Sequence, residues 1–296
     1  MTRRLAAALV FWAAAAQAQD LEWIPLFISN RGGGAPALSA GDLRVSCDGK
    51  AGAAVVLKPD REPVSVAIVV QGSRDMARNL VETQRALRSF LRHAQPGDEF
   101  FTVKGLEQPA LGTGFTSDVD AIVSSIAMPD GTKRPMLFDA VEFALRYLKH
   151  ARHSDRAVLV LMANEDVAST VKVKAMAPRV LAQHIPVYVA SMYRRYANDL
   201  APTFFEMLRL AEQSGGDMWE VYRFSDLDTT LAGVNFHPQY LLGIPPALCS
   251  RDQQHALHVD WAGGFAHPGV TLRYQRQLIE GAGVAAARRV SEASSH

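Results

Sequence analysis

The stretch that most constrains this chain is Val64-Ser65-Val66-Ala67-Ile68-Val69-Val70, followed at once by Gln71-Gly72-Ser73-Arg74-Asp75-Met76. Its first part is an apolar, β-branched run of strand length. Such a run suits a strand covered on both faces, the central position of an α/β sheet. Open α/β sheets bind ligands outside the carboxyl ends of their strands. Gln71 to Asp75 is therefore the first place to read for function.

Around this run the sequence alternates strand and helix. Met76 to His93 has a helical pattern with Leu80, Leu87 and Leu91 on one face. Glu99 to Val103 reads as the next strand and Gly112 to Thr116 as a loop. Thr116 or Ser117 can cap a helix carrying Val119, Ile122, Val123 and Ile126. A further helix starts at Pro135. Ala157 to Met162 and Ile185 to Ala190 are buried strands, with a helix from about Val171 to Gln183 between them. Pro202 and Gly215 frame another helix. Met218 to Tyr222 is a strand, and Ser225 caps a short final helix. The alternation predicts a doubly wound, mainly parallel six-stranded sheet with helices on both faces, over residues 63–235. Residues 19–62 and 236–278 read as β segments. Each is too short for a core of its own, so the two are expected to pack together beside the sheet. Asp48-Gly49 marks a tight turn in the first of them. Residues 279–296 read as a loosely held tail.

Residues 1–18 have the composition of a signal peptide. Arg3-Arg4 precede an apolar run from Leu5 to Ala16, and Ala16-Gln17-Ala18 is a small-residue cleavage site. The expected location is periplasmic or secreted. The formal net charge is +1 and turns slightly negative once Arg3 and Arg4 leave. That balance gives no footing for nucleic acid, and no transmembrane segment is expected after cleavage. Cys47 and Cys249, the only cysteines, read first as a disulfide in an oxidising compartment, although spacing in sequence does not fix their distance.

Several segments together resemble the von Willebrand factor A (vWA) domain, and more narrowly the VWFA-related exported proteins described from acidobacteria. Leu43-Arg44-Val45-Ser46-Cys47-Asp48-Gly49-Lys50 is similar to the family's D-F-R-V-x-E-D-G-K. Pro63 to Met76 is similar to P-V-S-V-x-x-L-L-D-x-S-G-S-M. Leu137-Phe138-Asp139-Ala140 matches L-Y-D-A, and Gln239-Tyr240-Leu241-Leu242-Gly243 matches Q-Y-L-L-G. The resemblance spans about residues 36–275. It implies a metal-ion-dependent adhesion site for Mg²⁺ or Mn²⁺, built from hard oxygen ligands on three loops.

This chain departs from that ligand set. Gln71 stands for the first Asp and Asp75 for the second Ser, while Ser73 is kept. Pro135 stands for the Thr, and Ala163 for the Asp of the third loop. Losing both main carboxylates removes most of the charge that draws a divalent ion from water. A degenerate site with no cofactor is the expectation. The alternative is a remodelled site drawing on Ser73, Asp75, Thr132 and Asp166.

Other chemistry finds less footing. Ser73 follows a strand and precedes a helix, as a hydrolase nucleophile would, but Gln71 and Asp75 occupy the positions where a nucleophile elbow needs glycine. His255 and His258 lie three apart in a strand and face opposite ways. No phosphate-binding glycine loop is present. Arg194 and Arg195, between Tyr193 and Tyr196, could hold a partner carboxylate. The resulting expectation is an exported, non-enzymatic protein-interaction module. Its partner face lies on the loops Gln71 to Asp75, Pro129 to Pro135, Ala163 to Ser169 and Met192 to Asp199. Arg74, Asp75, Glu165, Arg194 and Arg195 are the contact candidates. An exported α/β enzyme using the crevice around Ser73 is the alternative.

Overall fold

A computed structural model describes residues 21–30, 36–52, 56–60, 62–128, 130–192, 202–249, 254–262 and 270–279. The signal peptide expected over 1–18, all but the first residue of the 279–296 tail, Pro129, Arg194 and Arg195 lie outside the described residues. The amino-terminal strands are β1 (Glu22–Asn30), β2 (Leu43–Cys47), β3 (Lys50–Ala51) and β4 (Val56–Pro59). The α/β body begins with β5 (Val64–Gln71), α1 (Arg74–Arg78), α2 (Leu80–Leu91), β6 (Glu99–Gly105), β7 (Pro109–Thr116) and α3 (Val119–Ser125). It continues through α4 (Leu137–Tyr147), β8 (Asp155–Met162), α5 (Val173–Ala182), β9 (Val187–Ser191), α6 (Pro202–Ser214), β10 (Asp217–Glu220) and α7 (Leu227–Ala232). The carboxyl-terminal strands are β11 (Tyr240–Ile244), β12 (His255–Trp261), β13 (Val270–Tyr274) and β14 (Gln277–Leu278).

The main sheet has six strands in the order β10-β9-β8-β5-β6-β7. All neighbours are parallel except β7, which runs antiparallel to β6. Every residue of β5 is buried, as its apolar run from Val66 to Val70 leads one to expect. Its side chains alternate between two cores. Val64, Val66, Ile68 and Val70 meet Leu87, Phe90, Ile122 and Leu231 on one face. Ala67 and Val69 meet Val141, Met176 and Met207 on the other. The chain leaves β5 for β6 on one side and later returns to β8 on the other. That reversal splays the connecting loops apart and opens a crevice above the carboxyl ends of β5 and β8.

Four local expectations need correction. Gly112 to Thr116 is part of edge strand β7, not a loop. Gly112 permits this, because a Cβ there would meet Thr102 Oγ1 at 2.3 Å. The expected helix from Met76 to His93 is two helices broken at Asn79, whose side-chain Nδ2 donates to the Asp75 carbonyl at 2.8 Å. Asp118, not Thr116 or Ser117, caps α3, accepting from the N–H groups of Asp120 and Ala121. Ser225 does not cap α7; it lies within the 3-10 turn Phe224–Asp226 that precedes it.

The terminal segments combine as expected. One small sheet runs β13-β1-β11-β4 and another β14-β12-β2-β3. The two bury Ile24, Leu26, Val45, Leu242, Leu257 and Val259 in a common core. Cys47 and Cys249 are bridged within it, 5.7 Å apart at Cα. Asp48 and Gly49 both have positive φ, as a two-residue hairpin turn between β2 and β3 demands. The β region is tied to the body by buried polar bonds. His184 sits between Gln275 and Glu22, with 2.9 Å to each. Arg273 lies over the rings of Phe27 and Tyr188, and burial pushes the Tyr188 phenol up to about 12.

Two carboxylates at the amino end of β6 make stability depend on pH. Burial alone would raise Asp98, but hydrogen bonds from His237 and from the N–H groups of Val64 and Gln95 outweigh it and hold Asp98 below the ordinary range. Burial likewise opposes ionisation of Glu99, and bonds from the Arg152 N–H, the Ser65 hydroxyl and the Arg152 guanidinium outweigh it. Both groups hold protons less tightly folded than unfolded, so their contribution is present above the unfolded carboxylate range and is lost as pH falls through the folded one. Urea unfolding should therefore show midpoints that decline below about pH 5. Glu99→Gln should flatten part of that decline.

Candidate functional site

The candidate site is the crevice where β5 and β8 end. Gln71, the last residue of β5, is fully buried. Its Oε1 accepts from the N–H groups of Ala163 and Asn164, both at 2.8 Å, and its Nε2 donates to the Asn164 carbonyl at 2.8 Å. One amide thus fastens the β5 terminus to the loop after β8. A carboxylate could not do this, because it has no proton to offer the Asn164 carbonyl.

Ser73 is buried, and its Oγ accepts from the Met76 N–H at 3.3 Å, capping α1. Thr132 bridges to Ser73, and its N–H donates to the Gly72 carbonyl at 2.7 Å. Gly131 makes this approach available. Its φ is +61°, and a Cβ there would lie 2.5 Å from the Ser73 carbonyl oxygen. The Thr132 hydroxyl donates to Glu107 Oε1 at 2.8 Å. Asp75 Oδ2 accepts from Asn164 Nδ2 at 3.0 Å, and Arg78 stands 3.9 Å from Asp75 Oδ1.

The third loop is braced from within. Asp166 Oδ2 accepts from the Phe138 N–H, and its Oδ1 accepts from the N–H groups of Ala168 and Ser169. Glu165 Oε1 accepts from both the N–H and the hydroxyl of Thr203, at the start of α6. Asp139 accepts from the N–H groups of Thr170 and Val171.

The structure therefore brings Ser73, Asp75, Thr132, Pro135 and Glu165 around one groove of about 430 Å³, with Arg74, Arg78, Lys133 and Val167 on its walls. Asp166 does not line that groove, because its oxygens face backbone N–H groups of its own loop and of α4. A bound Mg²⁺ or Mn²⁺ needs a set of hard oxygens free to turn to it. Gln71 and Asp166 have theirs committed, Pro135 has none, and Ser73 is occupied as a cap. As bonded, the vWA-type ligand positions Gln71, Ser73, Pro135 and Ala163 do not make a divalent-cation site, and the carboxylates left on the groove are Asp75 and Glu165.

Among the described residues no histidine or carboxylate bonds the Ser73 hydroxyl, which accepts from the Met76 N–H. Elsewhere, Cys47, Asp48 and His255 bring ligand-type atoms within 4.8 Å of one another. The Cys47 sulfur is bridged and has no thiolate to give. His255 Nδ1 instead pairs with Asp48 Oδ2 at 2.7 Å. That bond, then one from the Ala256 N–H, holds Asp48 below the usual carboxylate range. His258 is exposed on the other face of β12, as the spacing from His255 predicts.

A second cavity, of about 550 Å³, adjoins the groove across the Asp75–Asn164 bond and reaches over β9 and β10. Asn79, Glu82, Tyr222 and Phe224 line it together with Asp75 and Asn164. The sequence reading did not single out Asn164, Glu82 or Tyr222. Asn164 had one visible signal, its place two residues after the end of the Ala157–Met162 strand. Glu82 and Tyr222 reach the site only through tertiary packing.

No family model matches the sequence, and no curated protein matches it. Solved structures share the overall arrangement at low identity. The von Willebrand factor type A structure from Catenulispora acidiphila is 14% identical, with 88% of this chain and 74% of that one aligned and a TM-score of 0.48. An aerotolerance-related membrane protein from Bacteroides fragilis is 16% identical over 57% of this chain and 96% of its own, with a TM-score of 0.44. Proximal thread matrix protein 1 from the mussel byssus, solved also with zinc in its MIDAS motif, is 11% identical over 60% of this chain and 48% of its own, with a TM-score of 0.46. These scores carry no assignment of function. The strand order, the single antiparallel edge and the crevice above β5 and β8 give the chain a vWA/Rossmann-like α/β fold with a flanking β region.

Proposed function

We propose that this chain is an exported, non-enzymatic interaction module. It binds a protein partner through the loops at the carboxyl end of its main sheet and does so without a metal. One observation carries the reading. Gln71, where the vWA pattern has its first ligand carboxylate, binds the Ala163–Asn164 backbone through both its amide oxygen and its amide nitrogen. The loops are held in place by that amide rather than by a shared cation. They present a groove in which Val167 is 63% exposed, beside Arg74 and Lys133, which have no ion-pair partner among the described residues. An apolar centre with a polar rim is the usual anatomy of a protein contact. Export rests on the leader-like residues 1–18 and on the Cys47–Cys249 bridge, and the location proposed is periplasmic or secreted.

Site-directed photo-crosslinking in the native cell tests this. A crosslinker at Val167 should trap one defined protein, with the same yield in chelator. A crosslinker at exposed Lys149, just before the amino end of β8, should not. Equal trapping from both positions would refute the partner face, and loss of the Val167 product in chelator would refute its metal independence.

A further inference from the structure

We propose that the 550 Å³ cavity over β8, β9 and β10 receives a basic side chain, arginine before lysine, from the protein partner. This deepens the reading of the carboxyl-end loops as a partner face and rests on it.

Two carboxylates line the cavity, Asp75 and Glu82. Glu82 makes no ion pair or side-chain hydrogen bond among the described residues. Asn164 points its Nδ2 at Asp75, which leaves its Oδ1 buried with no donor. Asp75 Oδ1 has only Arg78, at 3.9 Å. The cation in the lining, Arg223, is already committed through Nε and Nη2 to the two carboxylate oxygens of Asp226, both at 3.0 Å. An anionic ligand would face Asp75 and Glu82, and among the described residues of the lining the only cation is the paired Arg223. A ligand rich in N–H donors and carrying positive charge matches the Asp75 and Glu82 carboxylates that line the cavity.

The remaining walls suit the same occupant. Tyr222 is 74% exposed and Phe224 is half-buried beside it. Aromatic faces attract cations, and a planar guanidinium both stacks on a ring and forks its donors toward oxygen. The neighbouring groove carries Arg74, Arg78 and Lys133, so the face as a whole presents a basic half and an acidic, aromatic half across the Asp75–Asn164 bond. A partner matching it would place an arginine on the second half.

The test is titration of the full chain, ¹⁵N-labelled, with acetyl-Gly-Arg-Gly-amide, its lysine counterpart and its glutamate counterpart. The arginine peptide should bind saturably and the lysine peptide more weakly, both shifting amide signals around Asn164 and Tyr222. The glutamate peptide should not bind. Glu82→Gln and Tyr222→Ala should each weaken the arginine peptide, Glu82→Gln by about tenfold, the size expected for one charge-assisted bond. Arginine binding no better than glutamate, or binding unchanged by Glu82→Gln, would overturn the proposal. The crosslink from Val167 separates the two readings. If it persists while the peptides fail, only the basic-side-chain pocket falls. If it fails while the arginine peptide binds, the partner face falls and the pocket remains.

Discussion

Replacing Gln71 with alanine is expected to cost roughly 3–5 kcal/mol of folding stability, because each buried polar group left without a partner costs about 1–3 kcal/mol and this change strands three. They are the N–H groups of Ala163 and Asn164 and the Asn164 carbonyl. Equilibrium urea unfolding reads the loss directly. Gln71→Glu serves as the control. It keeps the volume and the acceptor, but at neutral pH it sets a second carboxylate oxygen against the Asn164 carbonyl. A loss comparable to that of alanine shows that hydrogen bonding is responsible and packing is not. A near-neutral result for both variants would mean that the loops are held by something other than this amide. The effect should also reach the face. With the amide gone, Asn164 loses its anchor to β5, and the Asp75–Asn164 bond that separates the two cavities should weaken, seen as broadened amide signals from residues 163–166.

Opening the Cys47–Cys249 bridge has the next largest expected effect. It spans 202 residues, and losing a native disulfide typically costs about 2–4 kcal/mol, with long loops toward the upper end. The loss should be uneven. The bridge lies in the core shared by the two small sheets, whereas the main sheet is covered by two separate cores that contain neither cysteine. Cys47→Ser with Cys249→Ser, or reduction of the native chain, should first raise amide exchange in β2, β11 and β12. Protection in β5 and β8 should remain. Simultaneous loss of protection in both regions would show that the β region and the body unfold as one unit.

The parts of the fold that were legible in the sequence are those whose residues report their own burial. Val66–Val70 and Ala157–Met162 are unbroken apolar runs, and both lie in strands buried on two faces. Pro202 and Gly215 bracket α6 because each has a conformational preference that its position demands, Gly215 at φ +85°. Strand β7 was illegible. Its Gly-Thr-Gly segment lacks apolar alternation, and what makes it a strand is close approach to Thr102, a tertiary fact. The break at Asn79 was hidden for a similar reason, because any helix-compatible pattern tolerates an Asn whose side chain turns back on the preceding carbonyl. At the site, the sequence revealed which ligand residues are missing but not what replaces them. Gln71 reads as the loss of a carboxylate, and only the pairing of β5 with β8 shows that its amide meets the Ala163–Asn164 backbone. Asp166 reads as a ligand candidate and Glu165 as a partner contact in sequence, yet Asp166 braces its own loop and Glu165 the start of α6.

The most direct test of metal-free loop positioning is calorimetric titration of Mg²⁺, and separately Mn²⁺, into the purified full chain. The account predicts no saturable heat and an unfolding midpoint indifferent to chelator. A stoichiometric site of micromolar affinity, abolished by Asp75→Ala, would contradict it.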